Sequence, residues 1–203
     1  LQTGDKQRAM SAFALAASAD FDPAIREESM FNYGKLQYEL DRGGFNAAIT
    51  TLDNYIKTYP DSPRVNEARE ILLAAYFNSR NYDAAYEAIR QLDDPDNNVK
   101  MALQKIVYFR ALECFEAGDY DQALALFDVA DQNRYTAKYT ALTKFWRAET
   151  YVKKGDYAKA APLYETYMSL APSGEREKLL ALYNLGYCYF NGKQWDKAQD
   201  RFN

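Results

Sequence analysis

Apolar residues recur along the chain at intervals of three and four, the spacing that places them on one face of an α-helix. Glycine or proline interrupts this spacing at six places, and no segment between them shows the alternation and β-branched content of a strand. Those residues are Pro23, Gly43, Pro60, Pro63, Gly118 and Gly155. The pattern therefore predicts an all-α chain of about eleven helices separated by short turns.

Small residues indicate that one helical module is repeated along the chain. Counting back from Ala198, equivalent alanines occur at spacings of 38, 37, 38, 37 and 39 residues, at Ala160, Ala123, Ala85, Ala48 and Ala9. An aromatic residue lies three positions before each alanine except the first, where Lys6 stands, and a large residue lies four positions after. Intervals that agree within two residues predict a repeated helix–turn–helix unit.

The last copy, LYNLGYCYFNGKQWDKAQDRF at residues 182–202, resembles the tetratricopeptide repeat family through Leu185-Gly186, Tyr189, Trp195, Ala198 and Phe202. Its small residues are expected where two antiparallel helices press their backbones together. The opening tryptophan of the family is replaced in each copy, by Met30, Arg69, Val107, Lys144 and Leu182. The resemblance implies a right-handed superhelical solenoid of antiparallel helix pairs, in which first helices line a concave groove for partner proteins.

The repeat positions predict a single array that covers residues 1–203. It begins with the second helix of a truncated repeat at 5–18. Five repeats follow, the last of them truncated, at about 22–59, 62–94, 98–132, 136–171 and 174–203. Because arrays need polar capping repeats and neither end supplies one, we expect further repeats of the parent chain on both sides.

Local signals mark several helix ends. Asp22-Pro23 predicts a capped helix start, with proline in the first turn, where its missing N–H costs nothing. Gly118-Asp119 and Gly155-Asp156 predict two matched turns, in which glycine permits the left-handed exit and aspartate caps the next helix. Pro162 lies inside a predicted helix and should bend it.

Charge and cysteine content narrow the functional classes. The net charge is −4, the pI is about 5.0, and lysine and arginine are dispersed, so nucleic acid is not an expected partner. The chain has no histidine and only two cysteines, Cys114 and Cys188, which predict buried apolar roles rather than a disulfide framework or a zinc site. No stretch approaches the roughly 20 apolar residues of a membrane span.

Catalytic and metal-binding patterns are weak throughout the sequence. Without histidine, a nucleophile lacks its commonest base, and Gly43-Gly44 is not followed by a phosphate-binding pattern. The polar segment 93–98 has carboxylates but lacks the glycine and the distal glutamate of a calcium loop. We therefore expect no enzyme activity, no cofactor and no metal.

Aromatic residues at matching positions of the first helices are the candidates for binding. One ladder consists of Phe31, Tyr108, Phe145 and Tyr183, and the next position along holds Asn32, Phe109, Trp146 and Asn184. Tyr187 lies one turn further. From these we expect the following partner-binding groove residues: Asn32, Phe109, Trp146, Tyr183, Asn184 and Tyr187.

A packing role is the alternative for part of this ladder. Arg69, Arg110, Lys144 and Arg147 occupy positions that are usually apolar and buried in the family, which suggests that the buried face has rotated by about one residue. Tyr108, Phe145 and Tyr183 would then pack between helices. The candidates Phe109, Trp146 and Tyr187 would remain in the groove.

These observations predict a non-catalytic scaffold that binds a protein or peptide segment on the concave face. The alternative is a glycan- or cell-wall-binding module that uses exposed aromatic residues as stacking platforms. The sequence segments FNYGKLQYEL and KFWRAETY resemble segments of large envelope-associated tetratricopeptide proteins of Gram-negative bacteria. That resemblance implies a periplasmic or envelope location, with the cytoplasm as the alternative.

Overall fold

The structure is a computed structural model that describes residues 3–19, 22–41, 43–90, 97–172 and 176–202. Within these ranges the chain forms eleven α-helices and no strand, which confirms the all-α prediction. The helices are α1 (Thr3–Ser18), α2 (Pro23–Leu40), α3 (Asn46–Thr58), α4 (Val65–Asn78), α5 (Tyr82–Arg90), α6 (Asn97–Glu116), α7 (Tyr120–Gln132), α8 (Ala137–Lys153), α9 (Tyr157–Leu170), α10 (Arg176–Asn191) and α11 (Trp195–Phe202).

The chain divides into two compact units, unit 1 (Leu1–Ala88) and unit 2 (Ile89–Asn203). In unit 1, α2 packs against α1 and α3, α3 packs against α4, and α2 also contacts α4. In unit 2, each helix from α6 to α11 packs against the next, and α8 also contacts α6 and α10. Within each unit, first helices of consecutive repeats therefore lie side by side, as stacked helix pairs require.

The predicted turns and caps are confirmed. Gly118 and Gly155 have positive φ angles of 81° and 75°, a conformation that side chains disfavour. The carboxylates of Asp22, Asp119 and Asp156 each accept a hydrogen bond from a backbone N–H two or three residues later. Local residue chemistry thus determines where these helices begin.

The helix α9 continues through Pro162 from Tyr157 to Leu170. Proline therefore does not end the helix, although it has no N–H to donate to the carbonyl of Ala158. The bend expected at this residue stays a prediction.

The small positions of the first helices accommodate side chains of the second helices. A Cβ atom built on Gly34 would lie 2.9 Å from Leu52 Cδ2, and one on Gly186 would lie 2.7 Å from Phe202 Cε1. We expected two helix backbones to press together at these glycines. The close neighbours are side chains of the second helices instead. In these two repeats, the large residue four positions after the repeated alanine (Ala48 or Ala198) lies over the glycine, which leaves no room for a methyl group.

Each unit has its own aromatic core. In unit 1, Tyr55 is buried with Phe31 at a ring-centroid distance of 5.6 Å. In unit 2, Phe145 contacts Tyr164 and Tyr167 at centroid distances of 6.0 and 5.2 Å. The rings meet in tilted or edge-to-face arrangements, which aromatic pairs prefer.

Charged residues are buried between α7 and α8. Lys144 and its neighbour Phe145 are both buried, at 8% and 1% exposure. Asp131 Oδ2 lies 2.6 Å from Lys144 Nζ and 3.0 Å from an Arg147 guanidinium nitrogen. The suggested rotation of the buried face was therefore wrong. The face of α8 is wider instead, because two carboxylates on α7, Asp128 and Asp131, pair with Arg147 and Lys144.

Candidate partner-binding site

Three of the predicted site residues occupy one position on successive first helices of unit 2. Phe109 on α6, Trp146 on α8 and Asn184 on α10 each lie two residues before the small residue of their helix. Tyr187 follows Asn184 after about one turn. Because α8 contacts both α6 and α10, these four residues lie on adjacent helices, and we call them the first-helix row.

Phe109 and Trp146 are half-buried, and each contacts other rings. Phe109 lies 6.1 Å from Tyr139 and 5.2 Å from Tyr108 between ring centroids. Trp146 makes an edge contact of 5.2 Å with Phe115 of the preceding repeat. These contacts fix the orientation of both side chains while leaving part of each accessible.

Tyr108 lies on α6 near Trp146 and is buried. Burial raises the pKa of the Tyr108 hydroxyl, and the nearby indole N–H of Trp146 lowers it by less, so the phenol stays neutral. The Tyr108 ring also contacts Tyr139 of α8 at a centroid distance of 5.1 Å, which joins α6 to α8.

Asn184 belongs to a hydrogen-bond cluster with Glu149 and Tyr164. Its amide nitrogen donates to Glu149 Oε1 at 2.6 Å, and the Tyr164 hydroxyl donates to the same oxygen at 2.5 Å. Burial raises the pKa of Tyr164, and the negative charge of Glu149 adds to this increase. The Glu149 carboxylate therefore joins α8, α9 and α10, and it accepts a hydrogen bond from the amide nitrogen of Asn184.

Tyr187 is the most accessible aromatic residue of the first-helix row, at 41% exposure. Its ring makes an edge-to-face contact with Tyr157 of α9 at a centroid distance of 5.6 Å. Since one side of the ring is supported in this way, the exposed side is held in place for a ligand.

The two remaining candidates lie elsewhere. Asn32 is in unit 1, and its amide nitrogen donates to the Glu28 carbonyl of its own helix at 2.8 Å. Tyr183 is 60% exposed and contacts Phe202 at 5.8 Å. The predicted packing role is confirmed for Tyr108 and Phe145, which are 4% and 1% exposed, and stays a prediction for Tyr183.

Sequence reasoning missed the buried acceptors. The bonds of Glu149 to Tyr164 and Asn184 were not predicted. Unit 1 has a similar cluster, in which Glu27 Oε1 accepts from Ser62 at 2.5 Å and from Tyr55 at 3.2 Å. A buried tyrosine needs an acceptor for its hydroxyl, so each tyrosine at a core position of the repeat could have predicted a polar acceptor nearby.

Residues 93–96 of the acidic segment lie outside the described residues, so its role as a connection is not observed. In the described ranges, no group of three histidine, cysteine, aspartate or glutamate residues could hold a metal ion. Among the same residues, no helix combines the length and apolar character needed to cross a membrane.

Comparisons with solved structures returned helical neighbours of low sequence identity. BtubC from P. vanneervenii is 13% identical, with 97% of this chain and 87% of that chain covered and a TM-score of 0.49. MamA is 16% identical, with 91% and 92% covered and a TM-score of 0.49. A putative kinesin light chain from Podosopora anserina with TPR-like repeats is 14% identical, with 87% and 92% covered and a TM-score of 0.43.

A search of curated proteins returned no match. Models of the tetratricopeptide repeat, in contrast, match residues 33–98, 143–173 and 180–203. These segments together make up more than half of the chain, and they fall on helix pairs in both units. The repeats observed here are tetratricopeptide repeats, and the chain belongs to the tetratricopeptide repeat family.

Proposed function

We propose that this protein is a non-catalytic scaffold and that the first-helix row of unit 2 binds a segment of another protein. The observation that carries the proposal is the alignment of Phe109, Trp146 and Tyr187 on three adjacent first helices. Members of the tetratricopeptide repeat family bind partner proteins on this side of their helix pairs. An extended segment laid across α6, α8 and α10 would meet one member of the row on each helix.

The chemistry of the row favours an apolar or proline-rich segment. Each aromatic ring is supported by a neighbouring ring, at 6.1 Å for Phe109, 5.2 Å for Trp146 and 5.6 Å for Tyr187. Rings held in this way lose little side-chain entropy when a partner binds. Burying their remaining exposed faces would release water from apolar surface, which supplies the main driving force.

No specific observation favours the glycan-binding alternative. A sugar platform needs an aromatic face flanked by available planar polar groups. The amide nitrogen of Asn184, the planar polar group nearest to Tyr187 in the row, already donates to Glu149. The envelope location suggested by the sequence phrases is likewise a proposal, and fractionation of cells that produce the protein tests it.

Peptide selection followed by calorimetry tests the proposed groove. Peptides selected from a random library on the wild-type protein should bind Tyr187→Ala and Phe109→Ala about fivefold or more weakly, because truncating a central aromatic residue costs more than about 1 kcal/mol. Trp146→Phe keeps an aromatic ring at this position and tests the contribution of the larger indole separately.

The matched control is Tyr135→Ala. Tyr135 is 43% exposed, close to the 41% of Tyr187, but it lies between α7 and α8 and outside the first-helix row. Its removal should leave the affinity unchanged. Equal binding by wild type, Tyr187→Ala and Phe109→Ala would show that the row is not the binding site.

A further inference from the structure

Unit 2 has a cleft between α9 and the turn that joins α10 to α11. Its volume is about 340 Å³, in the lower range of sites that hold small molecules. Small or compact residues leave this space free, namely Ala158, Ala161 and Pro162 on α9 and Gly192 in the turn. The residues of the first-helix row do not line the cleft.

An ion pair occupies the same place in the preceding repeat of unit 2. Lys154 Nζ lies 2.5 Å from Asp121 Oδ1 there. Counted from the repeated alanines, Gly192 takes the position of Lys154, and Ala158 takes that of Asp121. The cleft is therefore open because glycine and alanine replace both members of this ion pair.

The cleft also contains a lysine that has lost its carboxylate partner. Lys197 has the repeat position of Lys159, whose Nζ lies 2.8 Å from Asp156 Oδ2. Gln194 takes the place of that aspartate. In the part of the chain that the structure describes, Lys197 makes no ion pair, and its Nζ lies 5.2 Å from the ring centroid of Tyr189.

A carboxylate of the cleft has likewise lost its cation. Glu165 on α9 has the repeat position of Asp128, which pairs with Arg147. Leu185 takes the place of that arginine. Glu165 Oε1 accepts a hydrogen bond from the Tyr189 hydroxyl, whose pKa burial raises to about 12, and no cation among the described residues pairs with this carboxylate.

Helix α9 offers a second acceptor on the same side. The carbonyl of Ala158 lacks its regular helical donor, because Pro162 has no N–H. Residues 158, 161, 162 and 165 follow the spacing of one helix face, and all four line the cleft. Two acceptors of α9 and the ammonium group of Lys197 on α11 therefore surround one space.

The cleft does not depend on whether a further repeat follows α11. The equivalent place in the preceding repeat is bordered by α7, α8 and α9, and α10 already packs against α9. Lys159 nevertheless keeps a side-chain exposure of 64%, and the three ion pairs named above involve no residue of α10. By the same pattern, a following helix would not supply the partners that Lys197 and Glu165 lack.

We propose that this cleft binds a small zwitterionic molecule of the size of an amino acid or a dipeptide. The carboxylate of the ligand pairs with Lys197, and its ammonium group donates to Glu165 and to the carbonyl of Ala158. Its apolar part packs on Ala161 and Pro162. A ligand with a single charge leaves one of the two protein charges unpaired, so both charges are required.

Titration of the isotope-labelled whole chain with L-alanyl-L-phenylalanine, followed by nuclear magnetic resonance, tests the site. The backbone amide signals of Gly192, Gln194 and Lys197 should shift, and that of Lys159 at the equivalent position should not. The N-acetyl derivative lacks the ammonium group, and the C-terminal amide lacks the carboxylate. Each should bind about fivefold more weakly, which is the upper range for an exposed ion pair.

Single substitutions test the two protein charges. Glu165→Gln keeps an acceptor for the Tyr189 hydroxyl, and Lys197→Gln keeps a long polar side chain. Each should weaken binding of the dipeptide about fivefold. The matched control is Lys159→Gln, which removes the equivalent lysine of the preceding repeat and should leave the affinity unchanged.

A double variant tests the cleft itself. Ala158→Asp combined with Gly192→Lys restores the ion pair of the preceding repeat, and lysine is tolerated because Gly192 does not have a positive φ angle. This variant should lose binding with unchanged helical circular dichroism. The proposal is overturned if the wild type shows no shift at these amides up to the solubility limit of the dipeptide, or if the double variant binds as tightly as the wild type. Equal binding of a dipeptide blocked at both ends overturns it too, since an internal peptide segment would then be the ligand.

Discussion

At the scale of single residues, the buried charges between α7 and α8 are the most informative departure from an ordinary helical repeat. Asp131 accepts from Lys144 and Arg147 where the family usually places apolar side chains. The equivalent positions in unit 1 are Ala17, Met30 and Tyr33, which line a groove of about 410 Å³. One set of repeat positions can therefore hold either an ion cluster or small and apolar groups, because either choice leaves no unpaired charge.

The Asp131 cluster should make stability depend on pH. Burial by itself raises the pKa of Asp131, but the hydrogen bond and charge of Lys144, with Arg134 and Arg147, lower it by more. A carboxyl whose pKa is lower in the folded state contributes stability above its unfolded pKa of about 3.9 and loses it as the pH falls through the folded value.

Urea unfolding of wild type and Asp131→Asn measures this contribution. Near neutral pH, the variant should lose about 1–3 kcal/mol, because Lys144 and Arg147 lose their charged acceptor. The difference between the two proteins should shrink below about pH 4. A difference that stays constant down to acidic pH would contradict the assigned role of the carboxylate.

Cys188 should be chemically inert while the protein is folded. It is 2% exposed, and burial together with the charge of Glu149 raises the pKa of its thiol to about 12. Because the thiolate is the reactive form, iodoacetamide at pH 8, about the working pH of that reagent, should leave it unmodified. Mass spectrometry should show alkylation of Cys188 only after denaturation. Equal alkylation rates in the folded and the denatured protein would contradict the burial of this thiol.

At the scale of helices, the repeat depends on close packing of neighbouring side chains around its small residues. Ala160 is fully buried in the core of unit 2. Replacing Ala160 by leucine should reduce the free energy of unfolding by about 1–3 kcal/mol, since the added carbons must displace packed neighbours. Ala158 is exposed on the same helix, so Ala158→Leu is the matched control for helix propensity. Equal thermal stability of both variants would show that Ala160 does not mark a closed contact.

Pro162 should weaken the helix that contains it. It lies in the interior of α9 and cannot donate a backbone hydrogen bond. Pro162→Ala should raise the free energy of unfolding by about 2 kcal/mol, because alanine is about 3 kcal/mol better in a helix while proline restricts the unfolded chain by up to about 1 kcal/mol. Pro172 follows the end of α9, so Pro172→Ala should bring no such gain. A loss of stability in Pro162→Ala would indicate that proline is needed for packing.

At the scale of the whole molecule, stability should be local, because each helix pair packs mainly against its neighbours. Leu52 is fully buried in the core of unit 1, whereas Tyr164 belongs to the core of unit 2. Leu52→Ala should cost about 2–5 kcal/mol in its own core. Hydrogen exchange should then speed up in α1–α4 and remain slow in α8–α10. Faster exchange throughout both units would instead indicate a single cooperative unfolding transition.

Sequence alone determined the period of the repeat, the all-α class and the turns at Gly118 and Gly155, because each depends on residues close in the chain. It also identified Phe109, Trp146 and Tyr187 as aromatic residues of first helices. Only the tertiary structure decided their surroundings. At the same repeat position Tyr108 is buried, 5.1 Å from Tyr139 of α8 between ring centroids, and Tyr183 is 60% exposed, so burial there depends on the neighbouring helices rather than on the residue itself. The acceptors Asp131 and Glu149 lie on other helices than most of their donors, so no local pattern could pair them.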